Sequence, residues 1–496
     1  MRLPESSATE RPTLSRFSRI VARNSAFGMA AHMTIKVVSF IFTVLVIRRL
    51  GAEVYGQYAA VLAFGAVFVF FADLGLSPYT VRQVARLRDR PDGKEEIEKL
   101  FGSVLALRFL LSLGAAVAII STAWLTGRPM EMIIGVALGT IGLVIYSAQG
   151  AAEAILAGHE RIDIAAGAQV AHQLTFVALG TLALLFATGY YGLIFANLAG
   201  ILLMTILCWQ GVRRLGVRPA MPIPSWWLPL LRASIPFGII GFTLGLSYKF
   251  DTILLNIYAG DVVTGYYNSA YNLIFSVLVI SNVVNTALYP SLARQSVTHP
   301  ETLPAIHERM LRYLLMIALP IAFGGWALAP EIIGFLYGGK YAGAVLPLSI
   351  LIWVAPFMFV TEFLGYVIVV SGAERRVAWA ITVSTTINVA LNALLIPIYG
   401  VTAAALLTVL TEAVLLSQYA WVLRARLRHV NWSYALWRPV LAAATMGVVV
   451  YLMRALYLPL DVLIGAVIYL GLLLALGVVG RPEFELVLGL RRRQAN

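Results

Sequence analysis

The chain holds a single cysteine, Cys208, among 496 residues, which rules out an internal disulfide and leaves no thiolate metal site. Charge is scarce as well: Asp, Glu, Lys and Arg make up 12% of the chain while 60% is hydrophobic, and the mean hydropathy is +0.84. That balance excludes a soluble globular protein of ordinary makeup. The two-residue alternation of a membrane barrel is missing, because the apolar runs are continuous. Acidic residues are the rarer sign, 24 against 37 basic, for a net charge of +13. In a soluble chain this excess would suggest nucleic acid. Here it reflects Lys and Arg retained on the cytoplasmic side of a membrane. No His, Cys or carboxylate cluster has metal-ligand spacing, and no nucleophilic triad is recognisable.

What is present is a series of long apolar runs. They fall at 27–47, 55–72, 101–124, 130–157, 165–187 and 190–209, then 231–257, 263–289, 311–328, 343–370, 377–397 and 399–421, with a last pair at 436–457 and 459–479. The expected fold is therefore an all-α polytopic membrane protein of about fourteen transmembrane helices. Residues 1–24 carry Arg2, Arg11, Arg16, Arg19 and Arg23 with apolar residues between the later ones, as in a basic interfacial helix. With that end in the cytoplasm, the inner loops hold roughly 26 Lys and Arg and the outer loops only Arg48, Arg49, Arg128, Lys340 and Arg454. Both termini are expected in the cytoplasm, with residues 481–496 as a basic tail. The Pro- and Arg-rich stretch 210–230, with Trp226 and Trp227, reads as a cytoplasmic linker between two halves.

The halves repeat one another. Gly51, Val54, Gly56 and Tyr58 return 209 residues later as Gly260, Val263, Gly265 and Tyr267. Phe27-Gly28 is echoed by Phe237-Gly238, Leu107 to Leu111 by Leu311 to Leu315, Gly158 to Arg161 by Gly372 to Arg375, and Tyr191-Gly192 by Tyr399-Gly400. The order and spacing imply a duplicated six-helix unit, 25–209 and 231–423. Six crossings return each copy to the side it entered from, so the pseudo-two-fold axis should run along the membrane normal. The segment 424–480 adds two C-terminal helices outside the duplication.

The first span is the most informative. Ser25, Met29, His32, Lys36, Ser39 and Thr43 share one helix face. A lipid-facing cation at mid-bilayer costs from about 3 to over 10 kcal/mol, so Lys36 should face a water-filled cavity or a carboxylate on another helix.

In this frame the chain resembles the polysaccharide transporter family, the O-antigen and exopolysaccharide flippases of the multidrug, oligosaccharidyl-lipid and polysaccharide exporter superfamily. The carriers are Arg49-Leu50-Gly51 with Gly56-x-Tyr58, Asp73-Leu74-Gly75-Leu76, Asp251 followed by Gly260 to Tyr267 and Ala270-Tyr271, Gly372-x-Glu374, and Pro397-x-Tyr399-Gly400. The chain departs from the family after Gly400, where Val401-Thr402-Ala403-Ala404 lacks the usual glycine. The resemblance implies two six-helix bundles around a central cavity that opens alternately to each side of a bacterial inner membrane. It also implies a polyprenyl-diphosphate-linked oligosaccharide as cargo, moved from the cytoplasmic to the outer leaflet for cell-surface polysaccharide synthesis.

Such cargo needs cations for the diphosphate and amides or hydroxyls for the glycan. The candidates for the cavity are His32, Lys36, Ser39, Lys249, Asn268, Asn272 and Asn388. The alternative role of the amides is to bond helix to helix, at about 0.6 to 2 kcal/mol per contact. Asp73, Asp251, Glu153, Glu362, Arg48 and Arg49 are candidates for coupling or gating, with a structural ion pair or snorkelling as their plainer roles. Arg108 and Arg312, at matching repeat positions, are expected to snorkel to the interface. No cofactor or metal is expected. An H+ or Na+ gradient is the candidate energy source, and the expected partners are the lipid-linked oligosaccharide, membrane lipids and polysaccharide polymerase machinery, with no nucleic acid. A cation-coupled multidrug exporter, which should place a carboxylate in the first half's cavity, and a lipid II flippase are the alternatives. A membrane-embedded polymerase or ligase needs a large outer loop, which the sequence lacks.

Overall fold

The computed structural model describes residues 14–298, 303–428, 430–431, 433–454 and 457–478. Among them there is no strand. The helices are α1 (Leu14–Asp73), α2 (Leu76–Leu87), α3 (Gly93–Leu125), α4 (Met130–Gly158), α5 (Ile162–Leu185), α6 (Gly189–Arg214), α7 (Trp227–Thr298), α8 (Leu303–Ala327), α9 (Ala329–Tyr337), α10 (Val345–Leu351), α11 (Val354–Val370), α12 (Glu374–Val422), α13 (Arg424–Leu427), α14 (Arg438–Met453) and α15 (Leu458–Ala475).

Ten of the described helices are long and apolar enough to cross a membrane, or eleven when α10 and α11, bent by 47°, are taken as one span. This is fewer than the fourteen apolar runs of the sequence, and with the bent pair counted the difference of three has one cause. α1, α7 and α12 each carry two runs joined through a single glycine. Gly51 (φ 78°, ψ 168°), Gly260 (φ 82°, ψ 178°) and Gly400 (φ 57°, ψ −134°) hold backbone angles that a side chain resists. A straight helix of 60 residues, the length of α1, would reach about 90 Å, three times the hydrocarbon thickness. The glycine lets the chain bend without a loop. Large apolar side chains along the outer faces, among them Val117, Phe195, Leu394, Leu452 and Val467, are exposed, as lipid contact requires. The protein is a multi-pass membrane protein.

The repeat motif has a structural meaning. A Cβ on Gly56 would lie 1.8 Å from the Asp261 carbonyl oxygen, and one on Gly265 would lie 1.9 Å from that of Ala52. Each half therefore presses a glycine onto the other's backbone, at matched positions. Close by, Arg128 donates to the Asn256 carbonyl (2.7 Å) and Oδ1 (2.9 Å), while Gln57 (3.1 Å) and Asn256 (2.7 Å) both donate to Asp261. At the opposite end of these limbs the halves touch again. Gly75 faces Ser234 and Gly238, Gly238 faces Leu74, and the Phe70 ring fills the space that side chains on Gly241 and Gly245 would take.

The stretch 210–230 is stitched to α3. The Arg218 and Ala220 amides donate to Glu98, and the Ile223 amide to Ser103 Oγ. The expected interfacial helix at 1–24 lies partly, and the basic tail at 481–496 wholly, outside the described residues.

Candidate functional site

Two cavities open inside the helix assembly, and α7 forms the wall between them. Successive helix residues point about 100° apart, so Ser247 and Tyr248 face one side while Gly245, Tyr248 and Lys249 face the other. Tyr248 lines both.

The larger cavity, about 780 Å³, is bounded by Lys36 of α1, both limbs of α7, α11 and both limbs of α12. Its lining is rich in polar groups: Asn282, Thr361, Ser384, Thr385, Thr411, Tyr248, Tyr366 and Tyr419, with Glu362 and Glu412. The Glu362 carboxylate accepts from Ser281 Oγ (2.6 Å), Asn282 Nδ2 (2.8 Å) and Asn285 Nδ2 (3.3 Å). Thr361 donates to Glu412. Neither carboxylate forms an ion pair among the described residues. Lys36 is the lone cation on the lining, is exposed to the cavity, and has no hydrogen-bonding or ion-pair partner among the described residues. The smaller cavity, about 530 Å³, lies within the first half against α1, α3, α4 and α6. It is mostly apolar, with Lys249 as its one charge among the described residues and Asn197, Thr140 and tyrosines as its polar groups.

The structure brings together Lys36 and Glu362 in the larger cavity and puts Lys249 on the smaller one. It does not bring the amides to either. Asn268 and Asn272 bond within α7 and to Thr252 and Tyr55, the last at 2.6 Å across the two halves. Asn388 is buried between Thr411 and Asn392. These three serve helix contacts, the plainer of the two roles. Ser39 donates to the Ile35 carbonyl of its own helix. The side chain of His32 lies outside the described residues.

The coupling and gating candidates separate in the same way. Asp251 is buried and held by Tyr267, by the Thr252 amide (2.6 Å) and by Thr252 Oγ1, away from both cavities. Asp73 is ion-paired with Arg108, and Glu153 accepts from Gln149 (2.6 Å), neither on a cavity lining. Arg48 and Arg49 are exposed, and Arg48 donates to the Phe335 carbonyl at 3.3 Å. Arg108 corrects the snorkelling expectation. It is 2% exposed, donates to Asp73, Ser77 and the Ser147 carbonyl (2.9 Å), and lies where a Cβ on Gly150 would stand. Its repeat partner Arg312 is buried too, 5.4 Å from the Tyr313 ring. The tyrosines of the larger cavity escaped the sequence reading because an isolated Tyr in an apolar run carries no positional signal.

A family model described as polysaccharide biosynthesis protein matches residues 21–296, more than half of the chain. The chain belongs to that family. Among curated relatives, this polysaccharide biosynthesis protein is similar to the probable low-salt glycan biosynthesis flippase Agl15 of Haloferax volcanii, with 21% identity over 370 residues, 74% of this chain and 76% of that protein. Its fold is similar to the lipid II flippase MurJ in an inward closed conformation, with a TM-score of 0.74 at 15% identity, covering 90% of this chain and 98% of MurJ. It is also similar to an inward-facing multidrug resistance MATE family transporter of the MOP superfamily, with a TM-score of 0.64 at 15% identity, covering 81% and 98% of the two chains. These relatives are flippases and transporters rather than enzymes.

Proposed function

We propose that this protein is a flippase that moves polyprenyl-diphosphate-linked oligosaccharide from the cytoplasmic to the outer leaflet by alternating access. The observation that carries this reading is the larger cavity. Hydroxyls, the Asn282 amide and two carboxylates converge there inside an otherwise apolar assembly, and they match the donors and acceptors of a glycan. Without such a route, moving a sugar and a diphosphate through hydrocarbon would be too costly to proceed at a useful rate. Lys36, with no counter-ion among the described residues, offers charge to the diphosphate. Family membership and the name of the Haloferax relative support the same substrate class. The test is reconstitution with a defined lipid-linked glycan, scoring leaflet exchange. Exchange no faster than in protein-free vesicles would refute the proposal.

A second reading, cation-coupled drug export, draws on one observation: Glu362 and Glu412 outnumber Lys36 on the larger cavity. It needs a carboxylate in the first half's cavity, and the lining there has none among the described residues. Efflux of a cationic dye that falls when Glu362 is neutralised would favour it.

A further inference from the structure

The smaller cavity has no role in the scheme above, and its chemistry differs from that of the larger. Its walls are the apolar side chains of Val61, Val69, Ile119, Val136 and Ile201, and the one charge facing it is Lys249. Two residues away, Asp251 is taken up by Tyr267 and Thr252, so it gives Lys249 no ion pair. The ammonium lies over the Tyr271 ring, with Nζ 5.9 Å from its centroid. A cation in an apolar chamber without a counter-ion is costly, and one within a membrane span is by default functional. An anion brought in from outside would relieve that cost.

We infer that the first-half cavity is a second binding site, which takes the prenyl-diphosphate end of the carrier lipid with Lys249 as counter-ion. The inference rests on the flippase reading and assigns a part of the same substrate. The apolar walls suit isoprene units, and the volume of about 530 Å³ admits one short chain segment rather than two acyl chains. A diphosphate carries more charge than Lys36 alone can balance, and Lys249 supplies a second cation. Because Tyr248 lines both cavities, the site for the lipid end abuts the site for the glycan.

The probe is farnesyl diphosphate with a photoreactive group on its tail, bound to the purified full chain. Wild type should bind it and cross-link to α1, α4 or α6. Lys249→Gln should weaken binding by about tenfold or more, the loss of one charge-assisted contact, while Lys249→Arg retains it. Gly65 lines the cavity, and a Cβ there meets nothing within 4 Å, so Gly65→Leu should fill the chamber and block binding with an unchanged melting temperature. Equal binding by wild type and Lys249→Gln overturns the inference. So do cross-links confined to α11 and α12, or displacement by phosphatidylglycerol at equal concentration. Failure here is separable from failure of the flippase reading. Glycan-lipid exchange at the wild-type rate in Lys249→Gln removes this site and leaves the function, whereas Lys249-dependent binding without any exchange keeps the site and removes the function.

Discussion

Lys36 and Glu362 on the larger cavity, and Arg108 buried away from it, each make a distinct prediction. Lys36→Gln should slow leaflet exchange of a lipid-linked glycan by about tenfold or more, with Lys36→Arg close to wild type, because charge and not shape is what the phosphate would use. Equal rates in all three proteins would remove Lys36 from the mechanism. Glu362 is held by three donors, Asn282 on one oxygen and Ser281 and Asn285 on the other, so Glu362→Gln sets an amide NH2 against a donor whichever way the amide turns. Exchange and melting temperature should both fall, and a fall in exchange alone would mark Glu362 as acting on cargo or coupling ion. Arg108 predicts a structural effect. Removing one member of a buried ion pair typically costs about 3–5 kcal/mol, so Arg108→Ala should lower the melting temperature sharply, and an apolar replacement of Arg108 together with Asp73 should recover part of the loss. Residue-level signals in the sequence were the least reliable. Arg108 looked like a snorkelling residue because its partner, Asp73, lies 35 positions upstream on another element. The amides of the second half looked like a cavity face because helical spacing cannot tell a wet face from a helix contact.

At the scale of elements, glycine decides the architecture. Gly51 and Gly260 take φ near 80° with extended ψ, a region that costs other residues about 1–3 kcal/mol, so Gly51→Ala and Gly260→Ala should each destabilise by about that amount in thermal melts. Gly56→Ala and Gly265→Ala should be worse than their size suggests, since the added methyl would meet backbone rather than a movable side chain. Retention of wild-type melting and exchange in both would show that the crossing of α1 and α7 tolerates separation. Here the sequence was far more legible. The apolar runs lie in the expected helices, and the doubled G-x-x-V-x-G-x-Y motif pointed to corresponding places in the two halves. What periodicity could not show is that two runs can join through one glycine instead of a loop, because hydropathy records length and not direction.

For the whole molecule, the two halves meet at one end of their paired limbs through Gly56 and Gly265, and at the other through Phe70 packed against Gly241 and Gly245. Alternating access requires the seam at Phe70 to part during one half of the cycle. A cross-link between cysteines placed at positions 70 and 241, in a Cys208→Ala background, should abolish exchange, and reversing the link should restore it. Full exchange in the linked protein would mean that this seam stays shut throughout the cycle. The two-half organisation was readable from order and spacing alone. The division into a polar and an apolar chamber was not, because it depends on Ser247 and Lys249 turning to different sides of one helix.

The reciprocal seating of Gly56 and Gly265 implies something further about motion. A rocking machine has one place that does not travel, and backbone pressed on backbone at two matched points is suited to be that fulcrum. Spectroscopic labels set beside it should report one unchanging separation through the transport cycle, while labels at the far rims of the limbs swing between two.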